Sequence, residues 1–292
     1  MNNNISRHIS RLKPISLSRR GSLALYSFRA WESYYLMEEV GRLREQAFSQ
    51  AGGGTGESLD VDCHDLARNG YRQLIAWDTA KRRIVGGYRY IVGGADDKEH
   101  ISTLKYFAPS PNFSRHYLPH AVELGRSFVV HDEGSSLFGM TALWQGLAST
   151  ISQIEGVRYL FGKVTVYPHY EPTAYRLLRL FLKRFHPAQQ ALLKAFNPHT
   201  IDEENNPFSQ GGYNENYALL LNLLRQRGEN LPPMIHAYMR LCRSMQSFDT
   251  VCNKEFGNTF ETAILLPLND INNTAKERYF RLRFADFTRG RY

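Results

Sequence analysis

The stretch AVELGRSFVVHDEGSSLFGMTALW, residues 121–144, decides how the chain is read. Val122, Leu124, Phe128, Val129 and Val130 set a strand, and Gly125 inside it marks a bulge or a close backbone approach. From Met140 the apolar period changes: Met140, Leu143, Trp144, Leu147, Ile151 and Ile154 recur close to every 3.6 residues, which predicts a helix. Between strand and helix runs a loop carrying Gly134 and Gly139. A glycine-bearing loop that opens a helix leaves backbone N–H groups unpaired and aimed outward, a cradle for an anion. The strand adds one carboxylate, Glu123, and one guanidinium, Arg126. Anion cradle, base and cationic clamp so close together point to a substrate that carries phosphate.

Outward from this stretch, the alternation continues on both sides. Upstream, QLIAW (73–77) and RIVGGYRYIV (83–92) form a hairpin, with Gly86 and Gly87 predicting a bulge in its second strand. Further back come a short strand over 22–28 and a helix over 31–48. QAGGGTGE, 50–57, is expected to be a mobile loop, because glycine loses the most backbone freedom on ordering. Asp60, Asp62 and Asp65 are spaced like calcium ligands but lack the glycine and distal glutamate such a loop needs. The aromatic run 103–118, with Tyr106, Phe107, Phe113 and Tyr117, is a candidate pocket wall.

Downstream, VRYLFGKVTV (157–166) is a strand and 172–185 a helix whose Arg176, Arg179 and Lys183 form a basic stripe. Such a stripe is either a solvated face or a docking surface for an acidic protein. After a polar, turn-rich segment, 197–213, helices are predicted over 215–227 and 232–245 and a last strand over 261–268. Strands joined as hairpins, rather than alternating with helices throughout, indicate a mixed α/β sheet and not a doubly wound one. No repeat or linker divides the chain. Residues 1–20 read as a flexible basic leader and 21–292 as one domain, with an extension from about 197.

Composition bounds the function. In 292 residues, 42% hydrophobic and 13% aromatic content supports a large core, and a net charge of +8 favours acidic partners or an anionic membrane surface. Cys63, Cys242 and Cys252 are too widely spaced for a zinc site or a disulfide framework, which fits a reducing, cytoplasmic setting. The basic start is not followed by the apolar run of a signal peptide. The arginines are scattered, and no nucleic-acid motif accompanies them.

Several phrases, in order, carry a resemblance. QLIAWD (73–78), GGYRY (86–90), ELGRSFV (123–129), YLFGKVTVYP (159–168), LPPMIHAYM (231–239) and EFGN (255–258) resemble the GNAT acyltransferase superfamily. More closely they resemble its "hemolysin"-type branch, which includes amino-acid N-acyltransferases of ornithine-lipid and glycine-lipid synthesis. Glu123-x-x-Arg126 and Arg44-x-x-x-Phe48 are similar to a pattern of acyl-homoserine-lactone synthases. The resemblance implies a GNAT-like fold and transfer of an acyl chain to the amine of glycine or ornithine, giving a lyso-aminolipid. The donor it implies is acyl carrier protein or acyl-CoA, with no permanently bound cofactor. The usual pyrophosphate loop of the superfamily is absent, and residues 131–141 stand in its place. That departure favours a carrier-bound thioester over coenzyme A, and so a long-chain transferase over an acetyl-CoA-dependent one. A non-catalytic protein of the membrane surface is the alternative outside enzymology.

A thioester is already activated, so the site needs a base for the amine, a stabiliser for the oxyanion and a hold on the acceptor. Glu123 is the candidate base, direct or through water; its alternative is a structural ion pair with Arg126. Arg126 and Arg89 can hold a carboxylate or the carrier phosphate in bidentate fashion, Arg89 equally being a sheet-face charge. Arg44, Phe48 and Tyr167 complete the acceptor side, with Tyr167 and His169 placed to return a proton to the thiolate. Phe128, Val129, Gly134, Ser135, Ser136, Gly139 and Met140 are the donor-binding candidates. Trp144 and Phe138 are either an acyl tunnel or ordinary core.

Overall fold

The computed structural model describes residues 2–17, 22–94, 98–130 and 136–279, with 2, 3 and 136–138 described by their backbone alone. In chain order the elements are α1 (Asn2–Ile9), β1 (Pro14–Leu17), β2 (Leu23–Arg29), α2 (Tyr34–Gln50), α3 (Cys63–Leu66), β3 (Arg72–Asp78), β4 (Arg83–Val92), β5 (Phe107–Pro109) and β6 (Ala121–Val129). There follow α4 (Ser136–Ile151), β7 (Tyr159–Val166), α5 (Pro172–Phe185), β8 (Leu193–Ala195), α6 (Tyr213–Arg225), α7 (Pro233–Leu241), β9 (Gln246–Asn253), β10 (Thr259–Pro267) and α8 (Asn273–Tyr279). Eight strands form one sheet in the order β1-β2-β3-β4-β6-β7-β10-β9, and β5 pairs separately with β8.

Every neighbouring pair in the large sheet is antiparallel except β6 and β7. Those two are joined by α4, the helical crossover that a parallel pair requires. Their ladder is short: it runs from Ala121↔Tyr159 to Leu124↔Gly162 and stops, although both strands continue. Beyond that point β6 stays with β4, β7 stays with β10, and the pair parts. Two local features drive the parting. On β6 three steps, from Gly125 to Phe128, match the two steps from Arg89 to Gly87 on β4. The extra residue is absorbed at Arg126, whose φ of 47° lies in the left-handed region. On β7, Gly162 has φ 153°, and a Cβ there would sit 2.4 Å from the Leu124 carbonyl oxygen. Only glycine allows the strands to touch at that point before they separate.

The strands bury both faces. Leu124, Val164, Val166, Ile264 and Leu266 pack beneath α4, α5, α6 and α7. On the opposite face Phe28, Ile75, Trp77 and Phe128 pack against α1 and α2, and Ile91, Phe161 and Leu265 against the segment around β5.

Several expectations are corrected. The basic leader is not featureless: Ile5 and Ile9, four apart on α1, are buried, and His8 stacks on Tyr35 at 4.9 Å. Loop 50–57 is tied down, because the Glu45 carboxylate accepts from Ser49 Oγ, Thr55 N, Thr55 Oγ1 and Gly56 N at 2.8–2.9 Å. Phe107 and Phe113 are wholly buried, and none of the four aromatics singled out in 103–118 lines the cavity described below. The basic stripe of α5 is not bare. Arg176 and Arg179 donate to carbonyls of Asp202, Glu204 and His199, and Lys183 pairs with Glu203. The segment after residue 197 supplies β9 and β10, which extend the main sheet beyond β7.

Candidate active site

A cavity of about 490 Å³ occupies the gap where β6 and β7 part, and its walls come from both faces of the sheet. On the α2 face it meets Glu123, Arg126, Lys163, Tyr167, His169 and Glu261. On the α7 face it meets Tyr88, Met140, Val164, Leu231, Met234 and Tyr238. A polar chamber and an apolar chamber therefore communicate through the split.

Glu123 stands in the last paired turn of the ladder, opposite Ile91 on β4 and Phe161 on β7, with 1% of its surface exposed. Its Oε1 accepts from Ser102 Oγ (3.2 Å), Thr103 N (2.9 Å) and Thr103 Oγ1. Its Oε2 accepts from the Tyr71 hydroxyl. A carboxylate offers about four lone-pair sites, so Oε2 keeps one beyond its Tyr71 bond. Burial, and then the charge of Glu123, push the Tyr71 phenol well above its ordinary pKa, which keeps it a donor. The expected alternative, an ion pair of Glu123 with Arg126, is not formed.

Arg126 instead lies 2.9 Å from Asp60 Oδ2, off the line of a good hydrogen bond, with its guanidinium 4.1 Å above the Phe256 ring. Burial pushes the Asp60 carboxyl up, against the pull of Arg126 and Arg44. Arg89 is held by Asp62 (2.7 Å) and Asp65 (3.1 Å) and sits 4.3 Å above the Tyr71 ring. Burial opposes the charges on this pair, but Asp65 and Asp62 outweigh it and raise Arg89, while Arg89 outweighs it and lowers Asp62. Arg44 is wholly buried against Asp65 (3.1 Å) and Gln73, and is not among the residues lining the cavity. The three aspartates that mimic a calcium loop are the counterions of three arginines. Left alone in the interior, any of these charges would cost several kcal/mol. Among the described residues, no group of three His, Cys, Asp or Glu is placed to hold a metal.

Phe48, Phe128, Val129, Tyr167 and Met140 all line the cavity. Burial raises the pKa of the Tyr167 phenol, and its ring stacks with His169 at 6.0 Å. The glycine loop lies against both rings: a Cβ on Gly52 would fall 2.5 Å from His169 Nδ1, and one on Gly53 would fall 2.7 Å from Tyr167 Cε1. Gly139 faces the sheet, where a Cβ would fall 3.3 Å from Val129 Cγ1 and 3.5 Å from the Val85 carbonyl oxygen. Ser136 opens α4, while Gly134 and Ser135 of the expected anion cradle lie outside the described residues. Trp144 is core, edge-on to Tyr88 and Tyr238. Residue-by-residue reading missed Tyr71, Ser102, Thr103, Lys163 and Glu261. The signal available for Lys163 was a charge alternating with Phe161 and Thr165 in an otherwise apolar strand.

A mixed sheet whose parallel pair splays around a buried carboxylate, with an apolar chamber on one side and a polar one on the other, defines an acyltransferase of the GNAT class. Residues 43–145 match the acetyltransferase (GNAT) domain family. The glycine N(alpha)-acyltransferase of Phocaeicola vulgatus is 35% identical over 286 residues, covering 93% of this chain and 88% of that protein. That of Bacteroides thetaiotaomicron is 35% identical over 285 residues, covering 91% and 84%. The chain belongs to this family of GNAT N-acyltransferases. Among solved structures, the CoA-dependent acyl-homoserine lactone synthase MesI aligns over 88% of this chain and 93% of its own, at a TM-score of 0.38 and 13% identity. At that score the likeness bears no weight. No helix among the described residues is long and apolar enough to cross a membrane.

Proposed function

We propose that this N-acyltransferase moves a long acyl chain from acyl carrier protein to the amine of a small amino acid, glycine first and ornithine second, releasing a lyso-aminolipid. The observation that carries the reading is the cavity itself, which joins an apolar chamber to a charged one across the β6–β7 gap beside Glu123. A long acyl chain suits Tyr88, Met140, Leu231 and Met234, whereas an acetyl group would leave that chamber unfilled. Both family relatives are named for glycine as acceptor.

In this scheme the thioester carbonyl lies in the gap, where β6 beyond Leu124 has no ladder partner on β7 and backbone N–H groups near Phe128 polarise the oxygen. The amine nitrogen attacks the carbonyl carbon, and the carbon–sulfur bond breaks. The acceptor ammonium gives up two protons: one passes through a water to Glu123 Oε2 and on to solvent, and the other reaches the leaving thiolate from Tyr167, which recovers it from the nitrogen. Met140 and the start of α4 hold the phosphopantetheine arm. The net charge of +8 suits an acidic carrier and a product released at the cytoplasmic face of an anionic membrane.

The test is product formation by purified protein with acyl carrier protein or acyl-CoA as donor and a panel of amino acids, read by mass spectrometry. An N-acyl amino acid from the carrier-bound donor supports the scheme. Turnover with acetyl-CoA alone would move the chain to acetyl transfer, and silence with every donor would remove the reading.

A further inference from the structure

Two charged side chains in the polar chamber have no role in that scheme. Lys163 on β7 and Glu261 on β10 lie diagonally across an antiparallel ladder in which Glu261 faces Thr165 and Ala263 faces Lys163. Lys163 Nζ is 2.8 Å from Glu261 Oε2, their side chains are 12% and 4% exposed, and both line the cavity. Lys163 also sits 4.4 Å from the centre of the Tyr106 ring. Despite its short contact, Oε2 of Glu261 makes no hydrogen bond of good geometry.

A buried ion pair contributes little to stability by itself, and apolar residues of similar volume often replace it without loss. Here the pair stands on a cavity wall, which suggests that its partners change. The other cations on this face are committed: Arg89 to Asp62 and Asp65, Arg126 to Asp60. All of those aspartates lie outside the cavity lining, whereas both Lys163 and Glu261 belong to it. An incoming group that carries both charges can therefore open this pair without stranding either member.

We propose that Lys163 and Glu261 are the acceptor site, Lys163 receiving the carboxylate and Glu261 the ammonium of a zwitterionic α-amino acid. One internal ion pair is exchanged for two with the ligand, so each charge keeps a partner. An amine without a carboxylate leaves Lys163 and Glu261 paired and the site shut against it. The assignment rests on the amino-acid reading of the acceptor and replaces the two arginines, expected from the sequence, as the hold on its carboxylate.

Binding and transfer are measured side by side on the full chain. Equilibrium binding of isotope-labelled glycine, ornithine and glycinamide is followed by NMR, and acyl transfer to each is followed by mass spectrometry. The wild type is expected to bind and acylate the amino acids in strong preference to glycinamide. Lys163→Met should weaken glycine binding and raise its KM about 100-fold, the order seen when one member of a buried charge pair is removed. Glycinamide, no longer shut out by the Lys163–Glu261 pair, should bind at least as well as before, so the discrimination collapses. The double variant Lys163→Met/Glu261→Gln removes both charges, leaves no orphan to unfold the protein, and should show the same collapse. Absence of saturable glycine binding in the wild type, or discrimination retained in both variants, would overturn the assignment. Glycine binding lost with Lys163 but no acyl product from the wild type would leave this site standing and sink the transfer reading.

Discussion

On the α2 side of the cavity the wall is backed by charges that already hold one another: Arg44 with Asp65, Arg89 with Asp62 and Asp65, Arg126 with Asp60. On the α7 side it is built from Met140, Met234, Tyr88 and Tyr238, with weak sulfur contacts from the Tyr88 hydroxyl to Met140 (4.0 Å) and Met234 (3.7 Å). Burial pushes the Tyr88 phenol up to about 12, so it stays neutral there. The backing of the first wall, unlike the Lys163–Glu261 pair on its surface, is a fixed frame, since moving any of its charges takes a partner from another. The second is soft, since thioether side chains repack around different shapes. On the reading proposed above, rigidity lies on the acceptor side of the sheet and adaptability on the acyl side.

Breaking the frame should produce the largest change in stability. Arg44→Met takes one of its two cations from buried Asp65 and leaves the buried Gln73 side-chain oxygen without its donor, and we expect about 3–5 kcal/mol of lost stability in denaturant unfolding. A loss below about 1 kcal/mol would mean that the frame is not fixed. The apolar side has its own titratable weak point in His186, buried between the Met245 carbonyl and Tyr213, its pKa lowered by burial from 6.5 to about 4. A group depressed in the fold binds its proton more readily when unfolded. Stability is therefore full above pH 6.5 and falls, by up to about 3 kcal/mol, as pH drops toward 4. His186→Asn should flatten that slope in unfolding curves between those limits; an unchanged slope would place the acid sensitivity elsewhere.

The junction between the two walls is Gly162. Gly162→Ala sets a Cβ against the Leu124 carbonyl oxygen and is expected to cost about 1–3 kcal/mol and to lower activity by disturbing the split. A fully stable, fully active variant would show that the gap does not depend on this contact. The smallest effect belongs to the soft wall. Met234→Trp should shift preference toward shorter acyl chains by about tenfold, or roughly 1.4 kcal/mol, without changing acceptor choice. A changed acceptor preference would mean that the two chambers are not separate.

The difference between the walls also explains what could be read from the sequence. The strand and helix of 121–144, the hairpin of β3 and β4, α5 and β10 were legible because their apolar periods are local. Glu123 was singled out as a candidate on the resemblance and does line the cavity, but its donors were not legible: Tyr71 lies 52 residues away and Thr103 lies 20 away, joined only by the sheet. The aspartates were seen as a group and their arginines as separate ligand clamps, since spacing reveals acidity but not which distant cation will neutralise it. Gly125 was the natural site for a bulge, yet the left-handed residue is its neighbour Arg126. β9 escaped because QSFDTVCN lacks a clear apolar alternation, so its pairing with β10 supplies what its sequence does not.

The most direct measurement is the steady-state rate of N-acyl amino acid formation by Glu123→Gln, with kcat and KM for the acceptor separated. A glutamine keeps the size of the side chain and removes its capacity to take a proton. The account predicts that kcat falls by about 10²–10⁴-fold while the acceptor KM stays near that of the wild type. A wild-type kcat in this variant, in protein that still unfolds cooperatively, would contradict it.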